Sequence, residues 1–340
     1  MNICLITEFY HPSYGGQYAA LRSVKDICDY NKLNYSILHS KSKLFKNKDL
    51  LEKTLLKSDL VHIFGGWTLF YLKIQKVAKK LKKKIIIHTM GYYEPWSLAQ
   101  KQLKKKIAWK LYQEKLLLSA DIIHCASKDE EFNIKKLNSS FKTQVIPFGI
   151  KKNFFLKNVQ KKKNKKLIFF SRLHKKKGLD YLLRAWSFFD KTDWKLDILG
   201  TGNISKYEKI SKKNNLKNIK FLKPVFGDSN KKKLFAKYDV LILPTQNENF
   251  GMVILEALAR GLMVLTTNET PWGIIQTKKA GWIINYSLIE LCLALNEIIN
   301  KEHNFYLQRK RSISIAKKYE FKIISKKYYQ LYSKLKKNNK

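Results

Sequence analysis

Short apolar runs recur along the chain, each followed by a glycine, proline or polar cluster and then by a stretch with helical spacing. Residues 3–7, 59–64, 85–88 and 144–150 read as strands in the first half, and 121–131 as a strand running into a helix. Ser127 stands at the N-cap of that helix with Glu130 at the capping-box position. Beyond residue 166 the pattern restarts, with strands at 167–170, 194–199, 219–222, 239–243 and 264–267. Helical stretches are predicted at 17–30, 98–118, 179–189 and 251–260, from about 288, and at 315–335. Strands alternating with helices predict α/β architecture with parallel, doubly wound sheets. A chain of 340 residues is too long for one ordinary core and suits two domains, with the lysine run 161–166 as a solvated linker.

Composition adds constraints. An apolar content of 45% can supply two cores. Cys4, Cys28, Cys125 and Cys292 are scattered without metal-binding or disulfide spacing, which suits a reducing cytoplasm. The opening segment carries Glu8 inside its apolar run and has no basic leader, so it reads as a strand rather than a signal peptide. The longest apolar tract, 250–266, is interrupted by Glu256 and Arg260, so no spanning helix is expected.

The net charge of +42 invites a nucleic-acid reading. Only six of the 68 basic residues are arginine, however, and base readout leans on arginine forks. Lysine spread over the whole length leaves two readings open: coding bias, or contact with an anionic membrane. The basic segment 98–118 favours neither. Leu103, Ile107, Leu111 and Leu118 form the apolar face of any surface helix, while lysines at 101, 104, 105, 106 and 110, interleaved with Trp109 and Tyr112, also suit a headgroup layer.

Candidate chemistry gathers at strand-to-helix turns. The stretch 244–261, P-T-Q-N-E-N-F-G-M-V-I-L-E-A-L-A-R-G, joins a strand to a helix that Gly261 closes. Glu248 lies in its loop, Glu256 lies eight residues on, and the helix start at Phe250 and Gly251 is an anion site. Two acids around such a site suit a ligand with a sugar, a diphosphate and a ribose, because carboxylates accept from pairs of hydroxyls. Acids are also common near helix starts, so the spacing alone leaves both readings open. Phe9 to Gly16 forms a glycine loop between a strand and a helix, and could be a phosphate cradle or a tight turn. Arg172 and Lys177 lie five apart on a loop leading into a helix, within reach of one diphosphate.

These residues resemble the signature of retaining glycosyltransferases of the GT-B fold, the large fourth family. The 244–261 stretch follows that family's donor-site turn, departing at Thr245 and Leu262. Ser171 to Gly178 resembles its G-R-L-x-x-x-K-G, and Phe9 to Gly16 its opening F-Y-x-P-x-x-G-G. The E-P-W at 94–96, together with Thr270 to Trp272 and Gly281-Trp282, resembles the subgroup that builds lipopolysaccharide cores and surface polysaccharides.

The resemblance implies two Rossmann-like domains around a cleft. An acceptor-side domain would span 1–155 and a nucleotide-sugar domain 156–314, with a helix over 315–340 crossing back onto the first. It implies Glu248, Arg172 and Lys177 as catalytic. Gly15, Gly16, Gly200, Asn249, Phe250, Gly251, Met252 and Glu256 would bind the donor, with Glu256 on the ribose. Gly91, His62 and His88 are candidate sugar or acceptor contacts; where many relatives have a histidine before that glycine, Met90 stands here.

The implied reaction moves a hexose-like sugar from a nucleoside diphosphate sugar to a glycan or glycolipid hydroxyl. It needs no metal and no cofactor beyond that co-substrate, and takes place in the cytoplasm or on the inner face of the membrane. The alternatives are a same-fold epimerase or phosphorylase, which product analysis would separate, and a basic nucleic-acid module, which leaves the placement of the acids unexplained. A dinucleotide oxidoreductase would need G-x-G-x-x-G after the first strand, and Gly15-Gly16 does not supply it.

Overall fold

Apolar runs without polar alternation make strands buried on both faces, as parallel sheets require. The computed structural model, which describes residues 1–42, 47–159, 161, 163–189 and 191–337, contains one such sheet in each of two units. The first unit comprises Met1–Gly149 with Phe321–Lys340, the second Ile150–Glu320. The expected boundaries at 155/156 and 314/315 thus move to 149/150 and 320/321. The reason is pairing between the segments that enter and leave the second unit: Ile150 N–H donates to the Tyr319 carbonyl at 2.9 Å, and Ile150 bridges Glu320. One residue of the predicted linker, 162, lies outside the described residues, as do 338–340 of the terminal segment.

In the first unit β1 (Asn2–Thr7), β2 (Asn34–His39), β3 (Leu60–Phe64), β4 (Lys84–His88), β5 (Ile122–Cys125) and β6 (Thr143–Val145) lie in the order β2-β1-β3-β4-β5-β6. In the second, β7 (Lys166–Phe170), β8 (Lys195–Leu199), β9 (Ile219–Leu222), β10 (Val240–Leu243), β11 (Met263–Thr267) and β12 (Gly281–Ile284) lie in the order β12-β11-β10-β7-β8-β9. Every pairing is parallel. The strand order reverses between β1 and β3 in one sheet and between β7 and β10 in the other. Crevices for ligands open at the carboxyl edge of such switch points. β2, β12 and the helices Lys48–Leu56, Leu69–Lys80, Ile204–Lys213, Asp228–Phe235 and Phe305–Lys317 are not among the predicted elements.

The first sheet's side chains alternate between two buried clusters. Cys4, Ile6, Val61, Ile63, Ile85, Ile87, Ile123 and Cys125 face one side, and Ile3, Leu5, Leu60, Phe64 and Ile86 the other. The second face is closed by the helices Gly16–Tyr30 and Phe321–Lys337. The terminal helix buries Phe321, Ile324, Tyr328, Leu331, Tyr332 and Leu335, a stripe at helical spacing, while Tyr329 points to solvent. Lys336 pairs with Asp59 at 3.1 Å.

His62, His88 and His124 lie on this covered face and are wholly buried. His62 and His88 are therefore core residues, a correction to the expectation that they meet sugar or acceptor. His62 Nδ1 lies 2.9 Å from the Tyr332 hydroxyl. The rings of His88 and His124 are 4.4 Å apart, and His124 Nε2 donates to the Ile146 carbonyl at 2.7 Å. Burial lowers the pKa of all three, that of His124 to about 4.

The segment 98–118 is not one helix. It comprises Pro95–Ala99, Gln102–Ala108 and Glu114–Leu118, with a left-handed Lys101 before the second piece and a π turn at Trp109–Gln113. The face expected to pack is the exposed one: Leu103 is 73% exposed, Ile107 52%, Leu111 70% and Leu118 48%. Gln113 and Leu117 are buried in their stead. Gln113 does so by bridging Trp67 N–H (3.2 Å) and the Tyr93 hydroxyl (2.6 Å).

The second unit is braced by an ion pair between Arg309 and Asp239, both buried. Asp239 also accepts from Asn164 N–H at 2.8 Å, and Arg309 stands on the Phe305–Lys317 helix. Removing one member of such a pair strands a buried charge. Arg309→Met is expected to lower the stability of the second unit by about 3–5 kcal/mol in urea unfolding; an unchanged midpoint contradicts this.

The histidines give the first unit a pH dependence. Their folded pKa values lie below the ordinary 6.5, so the unfolded chain takes up protons first. Stability is full above about pH 6.5 and falls toward pH 4, by ~3 kcal/mol for His124 alone. Melting curves between pH 7.5 and 5 should show the loss, and His124→Phe should make it shallower; a flat wild-type profile contradicts it.

Candidate functional site

At the second unit's switch point β7 pairs with β10, Leu167 opposite Val240, and the loops that follow them meet. Gly178, at φ +72°, lies so close to the Pro244 carbonyl that a Cβ there would stand 1.8 Å from its oxygen. Gln246 N–H and the Thr245 hydroxyl both donate to the Lys176 carbonyl, at 2.7 and 3.0 Å. Lys176 Nζ donates to Asn247 Oδ1 at 3.2 Å. After β8, Leu173 N–H donates to the Thr201 carbonyl at 2.8 Å, which brings the turn at Gly200 against the loop that carries Arg172.

This bracing joins the residues that the sequence singles out. Lys177, itself buried, donates from Nζ to Glu248 Oε2. Burial alone would raise the Glu248 pKa, but the Lys177 ammonium, with Lys176 and Arg172 behind it, holds it below the usual carboxylate range. The acid is therefore ionised at neutral pH, and its cation is already in place. Arg172 is exposed.

The helix Met252–Ala259 begins at Gly251, φ +77°, with no side chain capping it, so its first N–H groups and dipole face the loop. Phe250 is fixed beside that start, its carbonyl accepting from the Trp272 indole and its ring 5.4 Å from the indole. Asn249 and Met252 are partly exposed there. Glu256, expected to meet ribose, is paired: Lys231 Nζ lies 2.7 and 2.8 Å from its two oxygens. Lys231 belongs to the helix Asp228–Phe235, whose polar text carries no motif.

In the first unit Gly15, φ +59°, precedes the helix Gly16–Tyr30, and the space around Gly16 is open. The loop after β1 is tied to the helix Leu69–Lys80 that follows β3, Glu8 N–H donating to the Tyr71 hydroxyl at 3.0 Å. Gly91 follows β4 with φ +71°, directly after a left-handed Met90. Its N–H donates to Glu130 at 3.0 Å, and Ala126 N–H donates to the same carboxylate at 2.7 Å. The sequence assigns Glu130 only a capping role. Ser127 Oγ does accept from its N–H at 3.1 Å, but the buried carboxylate fastens the loops after β4 and β5. Nothing in sequence spacing distinguishes that role from capping. His62 and His88 are wholly buried and do not open onto this edge, His62 lying against Tyr332 of the terminal helix and the His88 ring against Phe64, His124 and Phe148. Among the described residues there is no cluster of histidine, cysteine or acidic side chains that could hold a metal ion.

A family model described as glycosyl transferases group 1 matches residues 150–319. An uncharacterized 41.2 kDa protein from the cps region of Klebsiella pneumoniae is 28% identical over 76% of this chain and 66% of its own length. Across the curated relatives matched, the covered share of their own length runs from 27% to 66%. Among solved structures, Anabaena HepE in complex with UDP and glucose superposes with TM-score 0.76 at 16% identity, covering 98% of this chain and all of that one. WaaG, a glycosyltransferase involved in lipopolysaccharide biosynthesis, gives 0.72 at 15% identity, covering 97% of this chain and 99% of that one. At such identities the structural likeness establishes the two-unit α/β fold.

Proposed function

The chain belongs to the group 1 glycosyl transferases, and on that premise we propose that it transfers a hexose-like sugar from a nucleoside diphosphate sugar to a hydroxyl group. The observation that carries this reading is the Lys177–Glu248 pair beside the uncapped start of Met252–Ala259, with Arg172 on the facing loop. When the bond from the anomeric carbon to the diphosphate breaks, the leaving oxygens gain negative charge. Lys177, Arg172 and the helix start would meet such a charge with two cations and a dipole, an arrangement that can supply the largest share of a rate enhancement. The ionised Glu248 accepts hydrogen bonds from sugar hydroxyls, Glu256 from the ribose.

Retention at the anomeric carbon follows from the signature's family. Independence from metal follows from the work that Arg172 and Lys177 would do in its place. The cps-region relative and the likeness to WaaG favour a surface polysaccharide or lipopolysaccharide acceptor. The bound UDP in HepE favours a uridine nucleotide donor.

The same reading sets the protein at the inner face of a membrane. No helix among the described residues is long and apolar enough to cross one. The exposed Leu103, Ile107, Leu111 and Leu118, however, run beside exposed lysines at 101, 104, 106, 110 and 115, which is the composition of a segment lying in an anionic headgroup layer.

Two experiments test the transfer scheme. Melting curves with UDP, GDP, ADP and CMP in EDTA should show stabilisation by one diphosphate, about 2.7 kcal/mol at 100 times its Kd, lost in Glu256→Ala. In turnover assays Glu248→Ala should lose roughly 10²-fold or more in kcat/KM. Silence from all four nucleotides, or activity that EDTA removes and Mg²⁺ restores, contradicts the scheme. For the membrane contact, vesicles of anionic lipid should co-sediment the protein at low salt and vesicles of zwitterionic lipid should not; lack of binding to both rules it out.

A further inference from the structure

Lys231 has no part in the reaction scheme above, yet its placement is specific. Its ammonium spans both oxygens of Glu256 at 2.7 and 2.8 Å, and the two side chains are 19% and 9% exposed. The same Nζ lies 5.7 Å from the centre of the Phe170 ring. Phe170 is the last residue of β7, immediately before the loop of Arg172. One lysine thus links the helix after β10 to the end of β7, the two limbs of the switch-point crevice.

We infer that Lys231 is a positioning residue for the donor, acting through Glu256. This inference rests on the donor reading proposed above. A nearly buried carboxylate beside a diphosphate would repel it, and the Lys231 ammonium cancels that charge where water cannot screen it. It also orients the acid. A carboxylate has about four lone-pair sites, of which the ammonium takes one on each oxygen, leaving one on each for hydroxyl donors. Without Lys231 the acid would be free to turn and would stand uncompensated next to the ligand.

The test is a double-mutant cycle read by calorimetric titration with UDP, GDP and ADP, using whichever binds wild type most tightly. Lys231→Met and Lys231→Gln should each weaken binding about tenfold or more, and Lys231→Arg should restore most of it. In a Glu256→Gln background the same substitutions should change affinity by less than about twofold, since the charge they balance is gone. Melting curves without nucleotide report whether each variant folds, and Lys231→Gln keeps a polar chain of similar length if Lys231→Met does not. Unchanged or tighter binding by the Met and Gln variants overturns the inference, as does an equal loss in the Glu256→Gln background. Failure of wild type to bind any of the three diphosphates overturns the donor reading itself, and this inference with it.

Discussion

The second unit's carboxyl edge depends on one close approach, that of Gly178 to the Pro244 carbonyl. Any side chain at 178 would collide with that oxygen, and the left-handed φ there favours glycine for a second reason. Because the backbones meet, the Lys176 carbonyl can accept from two groups of the facing loop, and Lys177 can reach Glu248. The loops could not exchange these bonds if the strands they follow were not neighbours, and β7 and β10 are neighbours because the strand order reverses there. Topology, backbone approach and charge pairing form one chain of causes.

The electrostatic pattern of the site is simple. Each of the two acids has a lysine of its own, Lys177 for Glu248 and Lys231 for Glu256. In a chain of net charge +42 lysines are plentiful and several pair with surface acids; in these two pairs both side chains are at least four-fifths withdrawn from solvent. An acid paired in this way can remain charged close to an anionic ligand and still offer lone pairs to hydroxyls.

Much of this is legible in the sequence where local and tertiary requirements coincide. The strands that lie fully buried in parallel sheets appear as unbroken apolar runs, and the turn from Pro244 to Gly251 combines a loop acid, a left-handed glycine and a helix start within a few residues. Helices such as Asp228–Phe235 are not legible, because the segment is almost wholly polar and only Leu234 and Phe235 are buried; Lys231 is hidden with it. The apolar row at Leu103, Ile107, Leu111 and Leu118 faces opposite to expectation, since spacing identifies a face but not what it meets. His62 and His88 depart from their expected place because a strand's polar residue can point into a core as readily as into a cleft. Glu130 has the spacing of a cap, and its carboxylate serves two neighbouring loops.

The second unit is a single continuous stretch, whereas the first is split, its last helix arriving only after the whole of the other has been made. During synthesis the second unit can complete its sheet and close its core while the first cannot. Until residues 321–337 emerge, the apolar face of β1, β3 and β4 has only the helix Gly16–Tyr30 over it, and His62 and His124 lack the tyrosines that pack on them. Domains fold as units as their sequence becomes available, and exposed apolar faces invite aggregation in the interval. The first unit to be started is therefore the last to be finished, and the terminal helix, with Tyr328 and Tyr332 set against His124 and His62, is the piece that ends its exposure.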